Sequence, residues 1–185
     1  MRHAADGALA HQRAPGPPAG AYVAGAYIPE GLRLLHLTDD SAEAGRAPVG
    51  DILGWNLPAA VGLALAERDS GRNRQVLAII GDGSLQFSIQ GLWTAAQHKL
   101  PVVFVVPRNG EYAILKSFAV LEETPGVPGL ELPGLDIVAL ATGYGCAAVE
   151  ATTEGEVRQA CKDALARSGP TVVVVPVAPT VPSLL

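Results

Sequence analysis

The sequence has few cysteines, no long apolar run and no apolar segment behind its amino-terminal charges. Its two cysteines, Cys146 and Cys161, lack the spacing of metal ligands or of a disulfide framework, so we expect reduced thiols. The longest apolar runs, such as residues 172–175, fall far short of the roughly 20 residues that span a membrane. No secretory signal is predicted. These absences favour a cytoplasmic protein.

Basic clusters with interleaved aromatic residues are also missing, and the formal net charge is −5 over 185 residues. Because this charge repels phosphate backbones, we expect no nucleic-acid partner. The content of 49% hydrophobic and 17% charged residues is typical of a globular protein, long enough for one domain or slightly more. Residues 1–20 differ: they are rich in Ala, Gly and Pro without periodicity, which predicts a disordered tail.

Apolar runs and helical periodicities alternate along the remaining chain. Strands are predicted at residues 31–38, 75–80, 102–106, 146–149 and 171–177. Helices are predicted to begin at residues 41–44 and to span residues 57–67, 85–99, 112–118 and 137–141. Asp136 is the predicted cap of the 137–141 helix, and Thr153 and Glu156 are the predicted capping box of a last helix ending near Arg167. The 85–99 helix is expected to cover the sheet, and Trp93 and Tyr144 are assigned to packing. The alternation predicts an α/β fold with a parallel sheet flanked by helices.

The most informative motif is Gly-Asp-Gly-Ser at residues 81–84, which directly follows one predicted strand, while Asn109 follows the next. Because carboxyl ends of neighbouring parallel strands meet at one sheet edge, Asp82 and Asn109 are expected side by side. Hard oxygen ligands suit Mg²⁺, which keeps positions for water and phosphate. Gly83 permits close approach of an anion, Ser84 adds a hydroxyl, and the following helix presents its amino terminus. A diphosphate is therefore the predicted ligand.

Several ordered motifs resemble those of the thiamine-diphosphate-dependent enzymes. Besides residues 81–84 and Asn109, they lie at residues 53–62, 95–97, 109–118, 125–129 and 136–145. Over roughly residues 52–177 they are similar to the cofactor-binding domain of the benzoylformate decarboxylase branch of that family. The resemblance implies the thiamine-diphosphate-binding fold, with thiamine diphosphate and Mg²⁺ as cofactors.

The resemblance also implies roles for individual residues. The metal ligands would be Asp82, Asn109 and the backbone carbonyl of Glu111. Further cofactor contacts would come from Leu53, Gly81, Gly83, Ser84 and Tyr112. Leu53 would be the apolar residue that supports the bent cofactor. The substrate pocket would be lined by Ile114, Leu115 and Phe118.

Simpler interpretations stay open for several of these residues. Asp82 is also a favoured helix cap, and Asn109-Gly110 is a common turn dipeptide. The three predicted pocket residues also match the core face of a short helix. The Glu111 side chain is interpreted as an exposed charge. Arg108 replaces an asparagine that is common in the family and would place a cation near the diphosphate.

One junction departs from the family pattern. Residues 21–51 resemble the end of the central domain, and residues 52–185 follow directly as a partial thiamine-diphosphate-binding domain. The opening strand and helix of that domain, and the whole amino-terminal domain, are therefore expected to be absent. The resemblance places the cofactor-activating glutamate in that amino-terminal domain, so no catalytic residue is assigned in this chain. We expect a homo-oligomer or a partner chain that supplies the missing domain, and no turnover from the isolated chain.

The reaction implied by the resemblance is decarboxylation of a 2-keto acid to an aldehyde, with aromatic or branched side chains favoured by the apolar pocket. An acetolactate-synthase-like carboligase shares the same cofactor site, and a catalytically inert fragment is a further alternative. A dinucleotide-binding oxidoreductase is disfavoured because the motif does not continue as Gly-x-Gly-x-x-Gly. Without a metal, Asp82 would also repel a pyrophosphate.

Overall fold

The described part of the chain contains one parallel sheet. The computed structural model describes residues 22–24, 53–124 and 126–179. The strands are β1 (Tyr22–Ala24), β2 (Val76–Ile79), β3 (Val102–Arg108), β4 (Ala147–Glu150) and β5 (Thr171–Pro176). They lie in the order β1-β2-β3-β5-β4, and every neighbouring pair is parallel. The predicted parallel sheet is confirmed.

Six helices connect and cover these strands within the described residues. They are α1 (Asn56–Asp69), α2 (Asp82–Gln86), α3 (Gly91–Gln97), α4 (Ala113–Leu121), α5 (Ile137–Gly143) and α6 (Glu154–Ala166). Two of these helices, α5 and α6, begin at the predicted capping residues. The Asp136 side chain accepts a hydrogen bond from the Ala139 N–H at 2.9 Å, and Thr153 and Glu156 form a complete capping box at α6. No helix in these ranges is both long and apolar enough to cross a membrane.

Apolar side chains cover both faces of the sheet. Phe104 on β3 is fully buried in a cluster that includes Leu57 of α1 and Leu92 of α3. Its neighbour Val103 lies in a second cluster with Ala164 of α6. Successive strand residues point to opposite faces, so a sheet buried on both sides needs continuous apolar runs. The run at residues 102–106 meets this requirement.

The predicted single helix over residues 85–99 is wrong, because the structure has α2 and α3 separated by residues 87–90. The Ser88 hydroxyl donates a hydrogen bond to the Gly54 carbonyl at 2.6 Å, which holds the break against the 53–55 turn. Within α3, Leu92 and Ala95 are buried, whereas Trp93 is 54% exposed. The packing assignment of Trp93 is therefore wrong. Tyr144 packs against the core, as expected.

The strand β1 was not predicted from the sequence. The predicted strand at residues 31–38, the helix beginning at residues 41–44 and the tail at residues 1–20 all lie outside the described residues. The other strands were predicted within two residues of their observed ends. The helix predicted at residues 112–118 extends further, through Leu121.

Candidate functional site

Asp82 is the first residue of α2, lies shortly after the carboxyl end of β2 and is only 3% exposed. Its Oδ2 accepts a hydrogen bond from the Gly110 N–H at 2.8 Å. Its Oδ1 accepts one from the Gly83 N–H at 3.0 Å. Since Gly110 follows β3, these bonds bring the ends of two neighbouring strands together, as the spacing of the motif predicted.

Two opposing effects set the protonation of Asp82. Burial raises the pKa of the Asp82 carboxyl, while hydrogen bonds from the Gly110 and Gly83 N–H groups act to lower it. Burial has the larger effect, so the pKa of Asp82 lies above the usual value for an aspartate. A buried carboxylate is costly unless it is paired, so the ionised form favours a cation beside it.

Asn109 and Gly110 form a tight turn next to Asp82. The Asn109 Oδ1 accepts a hydrogen bond from the Glu111 N–H at 3.1 Å, and Gly110 has a φ of 73°. This geometry agrees with the turn interpretation, yet an amide oxygen has two lone pairs and keeps one for another partner. A β-carbon at Gly81 or Gly110 would have no atom within 4 Å, so open space adjoins the turn.

The interpretation of the Glu111 side chain as an exposed charge is wrong. That side chain is 11% exposed and pairs with Lys116 Nζ at 2.5 Å. Lys116 Nζ also lies 3.0 Å from an oxygen of Glu131. The hydrogen bond to Glu111 has the largest effect in raising the pKa of Lys116, and the hydrogen bond to Glu131 has the second largest. The hydrogen bond from Lys116 in turn lowers the pKa of Glu131.

Leu53 reaches the motif through the backbone of its neighbour Gly54. The Gly54 N–H donates to the Ser84 hydroxyl oxygen at 3.1 Å. Gly54 has a φ of 89°, and a β-carbon there would lie 2.5 Å from the Phe87 Cβ, so only glycine fits. Leu53 is therefore held beside Ser84 with 36% of its surface exposed.

The backbone of Gly83, which was expected to let an anion approach closely, packs against an aromatic ring. A β-carbon at Gly83 would lie 2.6 Å from Tyr112 Cε1. The Tyr112 ring in turn packs edge-on against Phe87, with the ring centroids 6.2 Å apart. The helix α2 begins within the motif, at Asp82, and has only five residues, so its macrodipole is weaker than that of the long predicted helix.

A cavity of about 380 Å³ opens at this edge of the sheet, with Asp82, Arg108, Gly110, Asp136 and Glu150 among its lining residues. Arg108 forms an ion pair with Glu150 at 3.0 Å, and no local pattern predicts this contact because the two residues are 42 positions apart. The Arg108 charge lies near enough to lower the pKa of Asp82 slightly.

The three predicted pocket residues do not line that cavity. They lie on α4, whose buried residues are Ala113 and Ser117. Leu115 is 39% exposed, Phe118 is 48% exposed and Ile114 is half-buried. The interpretation of these residues as the core face of the helix is therefore wrong for Leu115 and Phe118, which remain accessible to a ligand.

The donors at the site fit Mg²⁺. A carboxylate, an amide oxygen and a backbone carbonyl are hard oxygen ligands, and Mg²⁺ takes only a few from the protein. Among the described residues, no group of three or more His, Cys, Asp and Glu side chains is placed to hold a metal.

Comparison with known proteins identifies the family. Residues 45–175 match the family described as the thiamine pyrophosphate enzyme, C-terminal TPP binding domain. The chain belongs to this family. Benzoylformate decarboxylase of Pseudomonas aeruginosa is 47% identical over 129 residues, covering 70% of this chain and 24% of that protein. Acetolactate synthase isozyme 1 large subunit of Escherichia coli is 30% identical over 122 residues, covering 65% and 21%.

Solved structures of this family share the fold. Benzoylformate decarboxylase from Polynucleobacter necessarius superimposes with a TM-score of 0.69 at 53% identity, covering 71% of this chain and 25% of that one. The thiamine diphosphate-dependent 4-hydroxybenzoylformate decarboxylase of Rhodococcus jostii RHA1 superimposes with a TM-score of 0.64 at 42% identity, covering 75% of this chain and 24% of that one.

The chain therefore spans about a quarter of the length of these relatives. It is the thiamine-diphosphate-binding, carboxyl-terminal domain of a family of decarboxylases and carboligases that depend on this cofactor.

Proposed function

We propose that this domain binds thiamine diphosphate through a Mg²⁺ ion held by Asp82, Asn109 and the backbone carbonyl of Glu111. Asp82 carries the proposal. It is a carboxylate with 3% exposure, fixed by an N–H group from the neighbouring strand end. Open space adjoins it at Gly81 and Gly110. A cation in that space would compensate the buried charge and leave coordination positions for diphosphate oxygens and water.

The motif around Asp82 supplies the other proposed contacts. Gly81, Gly83 and Ser84 would lie at the phosphates. The Ser84 oxygen accepts a hydrogen bond from Gly54, so its own proton is left to donate to a phosphate. Leu53, which the same hydrogen bond holds in place, would support the cofactor from below, with Tyr112 beside it.

The reaction proposed for the enzyme that contains this domain is decarboxylation of an aromatic 2-keto acid. Bound thiamine diphosphate supplies the electron sink for the departing carboxylate. The exposed apolar side chains of Leu115 and Phe118 favour an aromatic substrate group. Identity to the benzoylformate decarboxylases, at 47% and 53%, exceeds the identity to two acetolactate synthases, at 37% and 30%. Those weaker matches keep carboligation as the second candidate.

The metal site is tested by substituting Asp82→Asn, which keeps the shape and removes the charge. We expect Mg²⁺ affinity in the presence of thiamine diphosphate to fall at least roughly tenfold, because ligand charge sets the affinity of such sites. Isothermal titration calorimetry measures this change. Asp69→Asn is the matched control, since Asp69 is 65% exposed and, among the described residues, forms an ion pair with its neighbour Arg68 only. Unchanged binding by Asp82→Asn would remove the metal assignment.

The substrate class is tested in a chimera in which the matched 129-residue segment of the Pseudomonas aeruginosa enzyme is replaced by that of this chain. We expect the chimera to decarboxylate benzoylformate at least roughly tenfold more efficiently, by kcat/KM, than pyruvate. The chimera carrying Asp82→Asn controls for background turnover. Preference for pyruvate, or formation of acetolactate from it, would favour the carboligase instead.

A further inference from the structure

The turn that carries the proposed metal ligands is paired with a second segment of the chain. The Tyr112 N–H donates to the Leu130 carbonyl, and the Leu132 N–H donates to the Gly110 carbonyl, each at 2.8 Å. These bonds form an antiparallel bridge in which Glu111 lies directly opposite Glu131. Like charges that face each other across an antiparallel pair are destabilising. The bridge therefore needs a positive charge between its two glutamates.

Lys116 supplies that charge. Its Nζ pairs with Glu111 at 2.5 Å and with Glu131 at 3.0 Å. The backbone of Lys116 is fixed as well, because its N–H donates to the Tyr112 carbonyl at 3.0 Å in the first turn of α4. The Lys116 side chain is 24% exposed and that of Glu111 is 11% exposed, so this ion pair is less screened than one on the surface. Glu131 is 64% exposed, so its ion pair with Lys116 is screened more strongly.

The same turn is connected to the other side of the site. The Glu111 N–H donates to the Asn109 Oδ1, and the Gly110 N–H donates to Asp82. A shift of Glu111 would therefore displace its own carbonyl and the Asn109 side chain together. It would also disturb the Gly110 N–H, one of the two N–H groups that bond Asp82. The geometry of all the proposed ligands depends on where the Glu111 backbone lies.

We propose that Lys116 is a positioning residue, which neutralises Glu111 and Glu131 together and thereby holds the 109–112 turn in the geometry needed for Mg²⁺. The proposal rests on the metal site proposed above. Lys116 does not itself touch the metal in this arrangement. It acts through the bridge, as residues behind metal ligands orient those ligands in other sites. Since Lys116 lies on α4, it also links the metal turn to the helix that carries Leu115 and Phe118.

The test compares three variants by calorimetric titration of Mg²⁺ in saturating thiamine diphosphate. For Lys116→Met we expect affinity to fall roughly 10–100-fold, the range found when partners of metal ligands are removed. Lys116→Arg keeps the charge and should stay within about threefold of the parent protein. Lys162→Met, at an exposed position on α6, makes the same change in net charge and should leave affinity unchanged.

A second measurement decides the proposal without any ligand. Amide hydrogen exchange of Tyr112 and Leu132 reports opening of the bridge, and that of Gly110 reports loss of its hydrogen bond to Asp82. We expect exchange at these amides to become at least roughly tenfold faster in Lys116→Met, and to recover in part in Lys116→Met/Glu131→Gln, because the second change removes the repulsion. Urea unfolding of each variant separates local opening from loss of global stability.

Unchanged exchange in a stably folded Lys116→Met protein would overturn the proposal, as would equal defects in Lys116→Met and Lys116→Arg. If the parent protein binds neither Mg²⁺ nor thiamine diphosphate, the proposed function fails. The exchange data still show whether Lys116 holds the turn.

Discussion

Glu67 is the most deeply buried charged side chain of the described residues, with 1% exposure. Both of its carboxylate oxygens accept hydrogen bonds from Arg72 and Arg74. Its bonds with Arg74, followed by those with Arg72, outweigh the cost of burial and lower the pKa of Glu67 to about 2. Because Glu67 lies near the end of α1 and both arginines lie just before β2, the cluster fixes the connection between these elements.

The lowered pKa predicts how stability depends on pH. The folded-state pKa of about 2 lies below the ordinary value of 4.5, so the ionised Glu67 stabilises the fold above pH 4.5 and this contribution is lost as pH falls towards 2. At neutral pH, Glu67→Gln should cost about 3 kcal/mol of unfolding free energy, and the loss should shrink through that acid range. Urea unfolding at several pH values measures it.

The matched control for this experiment is Glu154→Gln. Glu154 is 86% exposed in its pair with Arg158, so we expect a change within about 0.5 kcal/mol. A penalty for Glu67→Gln that stayed constant down to the acid limit would show that packing, and not the charge of Glu67, stabilises this connection.

At the scale of elements, the break between α2 and α3 shows how tertiary contacts override helical periodicity. Apolar residues recur at helical spacing throughout residues 85–99, yet the helix is interrupted where Ser88 bonds Gly54. Gly91, the first residue of α3, lies against Leu57: a β-carbon there would be 2.3 Å from the Leu57 Cδ2. The residues that contact the break, Gly54 and Leu57, are each more than 30 positions away in the sequence from the residue they contact, so no local pattern indicates the break.

Two helical glycines with different surroundings give a prediction at this scale. Alanine is favoured over glycine in helices by about 1 kcal/mol. A β-carbon at Gly62 of α1 would meet no atom within 4 Å, so Gly62→Ala should raise the free energy of unfolding by about 0.5–1 kcal/mol. Gly83→Ala should show no such gain, because its β-carbon would lie 2.6 Å from the Tyr112 ring.

Urea unfolding of the two variants measures this difference, with Gly62→Ala as the control for helix propensity. Under the proposed function, displacement of the Tyr112 ring by Gly83→Ala should also weaken thiamine diphosphate binding several-fold, which calorimetry detects. Equal stabilisation by both substitutions would mean that the Tyr112 ring moves freely and does not constrain Gly83.

At the scale of the whole molecule, several large apolar side chains remain exposed among the described residues. They include Trp55, Phe87 and Trp93, together with Leu115 and Phe118 on α4. Exposed apolar surface of this kind favours association, because its burial is stabilising. The chain also spans only about a quarter of its relatives. The homo-oligomer, or the partner chain with a further domain, stays a prediction that these features support.

The sequence by itself determined the fold class, most strands and the caps, because these depend on local patterns. Alternating apolar and amphipathic stretches indicate a parallel sheet between helices. Thr153 with Glu156 marks the start of α6, and Asp136 that of α5. The meeting of Asp82 with the Asn109-Gly110 turn was also predictable, since the carboxyl ends of neighbouring parallel strands share one edge.

Only the tertiary structure decided how this edge is held. Gly54 bonds Ser84 across 30 residues, and Arg108 bonds Glu150 across 42. The pairing of Glu111 with Glu131 needs the return of a loop whose path no spacing fixes. Hydrophobic periodicity shows which residues are buried and says nothing about which polar groups then meet. Those partners follow from the packing of distant segments, because a buried polar group must find whichever donor or acceptor the fold brings within reach.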